Sequence, residues 1–182
     1  MKEKLNMIEI RNATPEDAEQ IAKVHVKSWQ TTYQKIVDEE VLSAMNWEDR
    51  VENWRETIKS LGSQATILVA VENDRIVGFL SGGQARQTLE NCDAEIYAIY
   101  LLEESRGKGI GRNLVNKYFK WLTENGFHSC FVWIAKENPY QSFYLSVGAE
   151  KTDLEGISRV RSNKIPTVAY IWKTVDNLTN FP

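Results

Sequence analysis

Apolar and charged residues alternate at Met7-Ile8-Glu9-Ile10-Arg11, the two-residue period of a strand with one buried face. The period then changes. After Thr14-Pro15-Glu16-Asp17, which suits a helix start with a cap, an early proline and acids against the positive dipole end, Ile21, Val24, His25, Ser28 and Trp29 fall at helical spacing to about Tyr33. Val41, Leu42 and Met45 mark a second helical region. Trp47, Val51, Trp54 and Ile58 mark a third, ended by Leu61-Gly62-Ser63. Thr66–Val71 and Arg75–Ser81, joined at Glu72-Asn73-Asp74, read as a hairpin. Ala94–Leu102 is a further strand. A helix over Gly109–Asn125 carries Leu114, Val115, Tyr118, Phe119 and Leu122 on its apolar side, with Gly126 as its C-terminal cap. Phe127–Ala135 reads as a strand, Asn138–Val147 as a short helix, and Ala149–Ile157 and Pro166–Trp172 as closing strands. This order predicts an α/β (α+β) fold in which helices cover both faces of one mixed sheet.

Composition narrows the class. The chain has 182 residues, which suits a single domain over 1–182 with a core that needs no staples. Basic and acidic residues number 22 and 25, for a net charge of −3, so no global charge draws the protein to nucleic acid. Cys92 and Cys130 stand apart, without the spacing of a zinc site, and read as reduced, buried thiols; no metal is expected. The N-terminus lacks a run of signal-peptide length, and no stretch reaches the ~20 apolar residues of a membrane span, so a cytoplasmic protein without membrane association is the expectation.

The chemistry concentrates in Glu95-Ile-Tyr-Ala-Ile-Tyr-Leu-Leu-Glu-Glu-Ser-Arg-Gly-Lys-Gly-Ile-Gly111, where a strand enters a glycine-rich loop that opens a helix. Gly107, Gly109 and Gly111 allow close backbone approach and convergent N–H groups. The helix start adds unpaired donors and a positive dipole end. Arg106, Lys108 and Arg112 add charge, which together make a pyrophosphate cradle. The spacing is neither GxxxxGK[ST] nor GxGxxG, and a glycine turn with solvated basic residues is the alternative.

The Arg-x-x-Gly-x-Gly signature at Arg106, Gly109 and Gly111 resembles the coenzyme A loop of the Gcn5-related N-acetyltransferase (GNAT) family. Ile99-Tyr100-Leu101 before it looks like the family's fourth strand, whose backbone pairs with the pantetheine arm. Further on, Asn138-Pro-Tyr-Gln-Ser-Phe-Tyr144-Leu-Ser-Val-Gly148-Ala149 is similar to the family's second motif. The likeness runs from about Arg75 to Ala149. Two departures stand out: Ala149 replaces the phenylalanine after the glycine, and the interval from Asn138 to Tyr144 is one residue shorter than in many members.

The resemblance implies a GNAT fold with a mostly antiparallel sheet, and acetyl transfer from acetyl-CoA, a co-substrate, to a primary amine of a small molecule or peptide by direct attack in a ternary complex. Gly107, Lys108, Gly109, Ile110, Gly111 and Arg112 would hold the pyrophosphate beside Arg106. Ile99, Tyr100 and Leu101 would hold pantetheine and support the developing oxyanion. Asn138 would touch the coenzyme A arm, and Tyr144 would protonate the leaving thiolate. Asp93, Glu95 and Tyr97 alternate on one strand. Glu95 is the first candidate for the base, with Asp93 or a water as alternatives; Asp93 is otherwise placed with the acceptor. Trp29 and Tyr33 are expected to line the acceptor side, where aromatic faces and acids would suit a cation. Trp54 and Cys130 read as core, His25 as a satisfied core or surface histidine, and His128 as exposed. Terminal strands beyond Lys151 could pair two copies into a homodimer. A non-catalytic module that senses acyl-CoA is the alternative to the enzyme.

Overall fold

A computed structural model describes residues 8–160 and 163–176. Seven strands form one sheet: β1 (Ile8–Asn12), β2 (Ala65–Glu72), β3 (Arg75–Gln84), β4 (Ala94–Leu101), β5 (Cys130–Ala135), β6 (Glu150–Val160) and β7 (Asn163–Trp172), in the order β1-β2-β3-β4-β5-β7-β6. Every neighbouring pair is antiparallel except β4 with β5. The helices are α1 (Ala18–Thr32), α2 (Glu39–Ser43), α3 (Glu48–Lys59), α4 (Ile110–Glu124) and α5 (Gln141–Ser146). Met7, expected in the first strand, lies outside the described residues.

The helices cover both faces, as the alternation along β3 makes plain. Phe79 packs against His25 of α1 and Trp54 of α3. At Gly82, three residues on and therefore on the opposite face, a Cβ would lie 2.5 Å from the Tyr118 hydroxyl of α4. Tyr118 needs that space because its hydroxyl donates to the Glu95 carbonyl at 2.9 Å, which ties α4 to β4. Ile110, Leu114, Val115, Tyr118, Phe119 and Leu122 of α4 are all buried. Each stabilises by about 1.5–3 kcal/mol relative to exposure, so this stripe fixes where the loop in front of α4 sits.

β3, β6 and β7 run further than expected, to Gln84, to Val160 and from Asn163, and three other boundaries differ for a local reason. The first turn, Pro15–Asp17, is a 3-10 turn before α1. Asp17 is drawn toward β1 there: its carboxylate accepts from Arg11 at 2.6 and 2.9 Å and from the Thr14 N–H at 2.8 Å. β5 begins at Cys130 rather than Phe127, because Gly126 turns at φ +79° and the Phe127 N–H closes the helix end on the Leu122 carbonyl at 3.0 Å. α5 begins at Gln141 rather than Asn138, because the Asn138 side chain accepts the Tyr140 N–H at 2.8 Å and holds an Asx turn ahead of the helix.

The parallel pair positions the site. β4 and β5 meet only at Ala94 opposite Cys130 and Glu95 opposite Phe131. Past that point the strands separate. On the β3 side, Ile96 opposes Gly82 and Ala98 opposes Ser81, which leaves Tyr97 as an extra residue in a bulge. A bulge bends its strand and increases the local twist. The bend therefore falls where β4 leaves β5, and from Ile96 to Leu101 the β5-facing edge of β4 has no strand beside it.

Candidate active site

The gap between the splayed strands opens into a cleft of about 340 Å³. One wall is β4 from Tyr97 to Leu101, and the other is Val132, Trp133 and Ile134 of β5. The loop after β4 and the start of α4 close one end, and Asn138, Tyr140, Phe143 and Tyr144 close another. Of the residues expected to hold coenzyme A, Ile99, Tyr100, Leu101, Arg106, Gly107, Gly109, Ile110, Gly111, Arg112 and Asn138 all line this cleft. Lys108 does not; its ammonium lies 3.5 Å from Glu72 at the end of β2.

Gly107 and Gly109 carry φ of +74° and +78°, which side-chain-bearing residues rarely adopt. A Cβ on either would meet nothing within 4 Å, so the loop borders open space. Gly111 serves packing instead, since a Cβ there would fall 3.0 Å from the Phe143 ring. It lets α4 and α5 approach each other across the cleft.

Arg106 is a strut. Its guanidinium donates to Thr31 at 3.3 Å, to Thr32 at 3.1 Å, to the Leu101 carbonyl at 3.3 Å and to the Tyr140 hydroxyl, and it lies 4.5 Å from the centre of the Tyr140 ring. It therefore joins the end of α1, the end of β4 and the approach to α5 around one mouth. Tyr140 was not singled out from sequence. Neither was Ser105, a 1 % exposed cleft residue whose hydroxyl has no hydrogen-bond partner among the described residues. No sequence spacing marks either one.

Tyr144 reaches the same cleft from α5. Burial is the main reason its phenol is held well above the usual tyrosine range, with Tyr33 and Tyr170 adding to the effect. Tyr33 also lines the cleft and is stacked on Trp29 at 4.5 Å. Tyr100 is the third phenol of the group; burial again dominates its upward shift, followed by the neighbouring Tyr33. Trp29 lies behind Tyr33 rather than in the cleft lining, against Tyr100 with ring centres 6.4 Å apart. His25 stacks on Tyr100 at 5.3 Å. Its Nδ1 is buried and has no hydrogen-bond partner among the described residues, so it is not the satisfied histidine that the spacing suggested. Burial, helped by Arg50, pushes its pKa down to about 4, which leaves it neutral.

The two acids stand elsewhere. Asp93 is outside both the cleft and the pocket beside it. Its carboxylate accepts from the N–H groups of His128 and Ser129 at 2.9 Å each and from the Ser129 hydroxyl at 3.0 Å. It clips β4 to the start of β5, and these donors replace the acceptor contact expected for it. Glu95 is 3 % exposed and accepts from Arg86 three times: from the backbone N–H at 3.2 Å, Nε at 3.0 Å and Nη2 at 2.6 Å. Its lone pairs are committed to that cation, which argues against the base role expected of it. Trp54 and Cys130 are buried and His128 is exposed, in line with expectation.

The fold and cleft combine a splayed parallel pair, a free strand edge, and a glycine loop at a helix start. The acetyltransferase (GNAT) family profile matches residues 21–149. The chain is 39% identical over 145 residues to the uncharacterized N-acetyltransferase YuaI of Bacillus subtilis, a match that spans 80% of this chain and 82% of that one. It is 27% identical over 161 residues to the spermidine N(1)-acetyltransferase of Thermoplasma acidophilum, which spans 86% and 97%. The crystal structure of the PaiA N-acetyltransferase of Thermoplasma acidophilum in complex with coenzyme A superimposes with a TM-score of 0.67 at 24% identity, over 89% of this chain and 98% of that one. The protein belongs to the acetyltransferase (GNAT) family and is an acyltransferase.

Proposed function

We propose that the protein transfers the acetyl group of acetyl-CoA to a primary amine of a small molecule or peptide, by direct attack within a ternary complex. The observation that carries this reading is the cleft itself, which leads from the Gly107–Gly111 loop along the unpaired edge of β4 to the Tyr144 phenol. The loop N–H groups and the start of α4 bind the pyrophosphate. Free backbone groups between Ile96 and Leu101 pair with the pantetheine amides as a further strand would. The Ser105 hydroxyl offers one more polar contact, and Asn138 lies along the same arm.

The neutral amine attacks the thioester carbonyl carbon, and a backbone N–H of β4 stabilises the oxyanion. Collapse breaks the C–S bond. Tyr144 gives its proton to the departing sulfur, and its phenolate is then reprotonated from solvent. The raised pKa keeps Tyr144 protonated until that moment. The proton lost by the amine leaves through water. No acetyl-enzyme is needed, and Cys130 is fully buried.

Calorimetric titration with acetyl-CoA, followed by a thiol-release screen over amines, tests the reading. Micromolar binding with thiol release on one amine class supports it. Binding with no release on any amine favours a sensor of acyl-CoA. Absence of binding overturns it.

A further inference from the structure

A second pocket of about 400 Å³ lies beside the cleft and shares Trp133 with it. Its other lining residues are Arg86, Gln87, Glu95, Gly156, Ile157, Ser158 and Thr167. Among the described residues Arg86 is its one cationic residue and Glu95 its one acid. Their pairing is asymmetric in exposure: the Arg86 side chain is 62% exposed, whereas that of Glu95 is 4% exposed. Arg86 also lies 4.3 Å from the centre of the Tyr97 ring, and Tyr97 is itself held by donating to the Gln84 carbonyl at 2.6 Å. Tyr97 lines the cleft, so Arg86 is fixed at the junction of the two cavities.

A guanidinium has five N–H donors in one plane. Glu95 uses one on Nε and one on Nη2. Three N–H groups, both on Nη1 and one on Nη2, lie outside this pair. Buried Glu95 beneath and Tyr97 alongside thus hold a forked donor at a fixed angle, with little rotamer freedom left to lose when it binds an anion.

We propose that this pocket receives the acceptor through a carboxylate, with Arg86 as its receptor, so that the acceptor is an amine that also carries an acid group, such as an amino acid. The proposal rests on the acetyl-transfer reading above and names the substrate class for it. The carboxylate sits on Arg86 while the amine reaches past Tyr97 and Trp133 toward the thioester. Ser158 and Thr167 supply further polar contacts. Gly156 keeps the pocket floor open, because a Cβ there would fall 3.0 Å from the Thr167 hydroxyl and 3.1 Å from the Trp133 ring. A polyamine finds no complement here, since the pocket's single acid is already paired and its exposed charge is positive. A phosphate dianion fits less well than a carboxylate, because buried Glu95 repels the second negative charge.

The test compares L-amino acids, the same amino acids as C-terminal amides, phosphoethanolamine and spermidine, by thiol release at saturating acetyl-CoA. Free acids should exceed their amides by at least about tenfold in kcat/KM. Arg86→Lys keeps the charge but gives up the fork; it should raise KM for the acids about tenfold or more and leave KM for acetyl-CoA and turnover of the amides unchanged. Because Arg86→Met would leave Glu95 buried and unpaired, the neutral version is Arg86→Met with Glu95→Gln, which should erase the preference for acids over amides. Equal rates on acids and amides overturn the proposal, as does faster turnover of spermidine or phosphoethanolamine. So does Arg86→Lys slowing both acid and amide alike. A preparation that binds acetyl-CoA by calorimetry yet transfers to no free acid also overturns it and leaves acetyl-CoA binding standing, whereas absence of acetyl-CoA binding overturns the underlying reading itself.

Discussion

Tyr144 and His25 are both enclosed by aromatic neighbours, and burial shifts each toward its neutral form. In the proposed reaction the neutral form of Tyr144 is the useful one, because a proton donor must keep its proton until the sulfur leaves. Tyr144→Phe should lower kcat by about 10²–10⁴-fold while KM for acetyl-CoA changes little. A matched loss in acetyl-CoA affinity by calorimetry would reduce the phenol to a packing group. For His25 the consequence is stability. Its folded pKa of about 4 lies below the ordinary value of 6.5, so the unfolded chain takes up the proton first as pH falls. Stability is thus intact above pH 6.5 and is lost progressively toward pH 4. The gap between those two values corresponds to about 3 kcal/mol. Urea unfolding of His25→Phe at pH 7 and pH 4.5 should show a smaller decline than the parent; an equal decline would place the acid sensitivity elsewhere.

At the scale of elements, β4 is held on one side by β3 throughout and on the other by a two-residue pairing with β5 and the Asp93 clip. The clip counts because so few ladder bonds support the parallel pair before it opens. Asp93→Ala leaves the N–H groups of His128 and Ser129 without their acceptor and should cost about 2–3 kcal/mol in urea unfolding. KM for the acceptor should stay within about twofold. A tenfold rise in that KM with unchanged stability would return Asp93 to the acceptor site. Arg106 plays the corresponding part at the open end, where it gathers α1, β4 and the approach to α5. The splay is thereby fixed at its closed root by a carboxylate and at its open mouth by a guanidinium.

The whole molecule couples the cleft to its stability. Ligand that binds only the folded chain stabilises it by about 2.7 kcal/mol at a hundred times its Kd, so acetyl-CoA should raise Tm by several degrees in a thermal melt. Gly109→Asp should remove that rise. The open space beside Gly109 tolerates the side chain, apart from the strain of its positive φ, but the carboxylate would then face the proposed pyrophosphate site. A ligand-induced rise that survives in Gly109→Asp would show that the cradle lies elsewhere. Among the described residues no helix is long and apolar enough to cross a membrane. Edge strand β6 pairs only with β7, which leaves its other edge unpaired within the described chain.

The sequence alone determined whatever depends on contiguous residues. The glycine-rich loop proposed to hold coenzyme A is one strand, one turn and one helix start in a single segment, so its glycines and helix stripe could be read from local spacing. The hairpin, the apolar face of α4 and the Tyr144 helix were legible for the same reason. Tertiary structure decided what depends on which distant segments meet. The Tyr97 bulge exists only against β3, and the splay only against β5. Asp93 became a clip because residues 128 and 129 arrive with unpaired N–H groups. Glu95, read from its strand as the first candidate for the base, meets Arg86 from the preceding loop and is spent on holding it. Charge that looked available in one dimension is neutralised in three, because a buried carboxylate is stable only with a partner, and the partner's identity is settled by packing rather than by spacing.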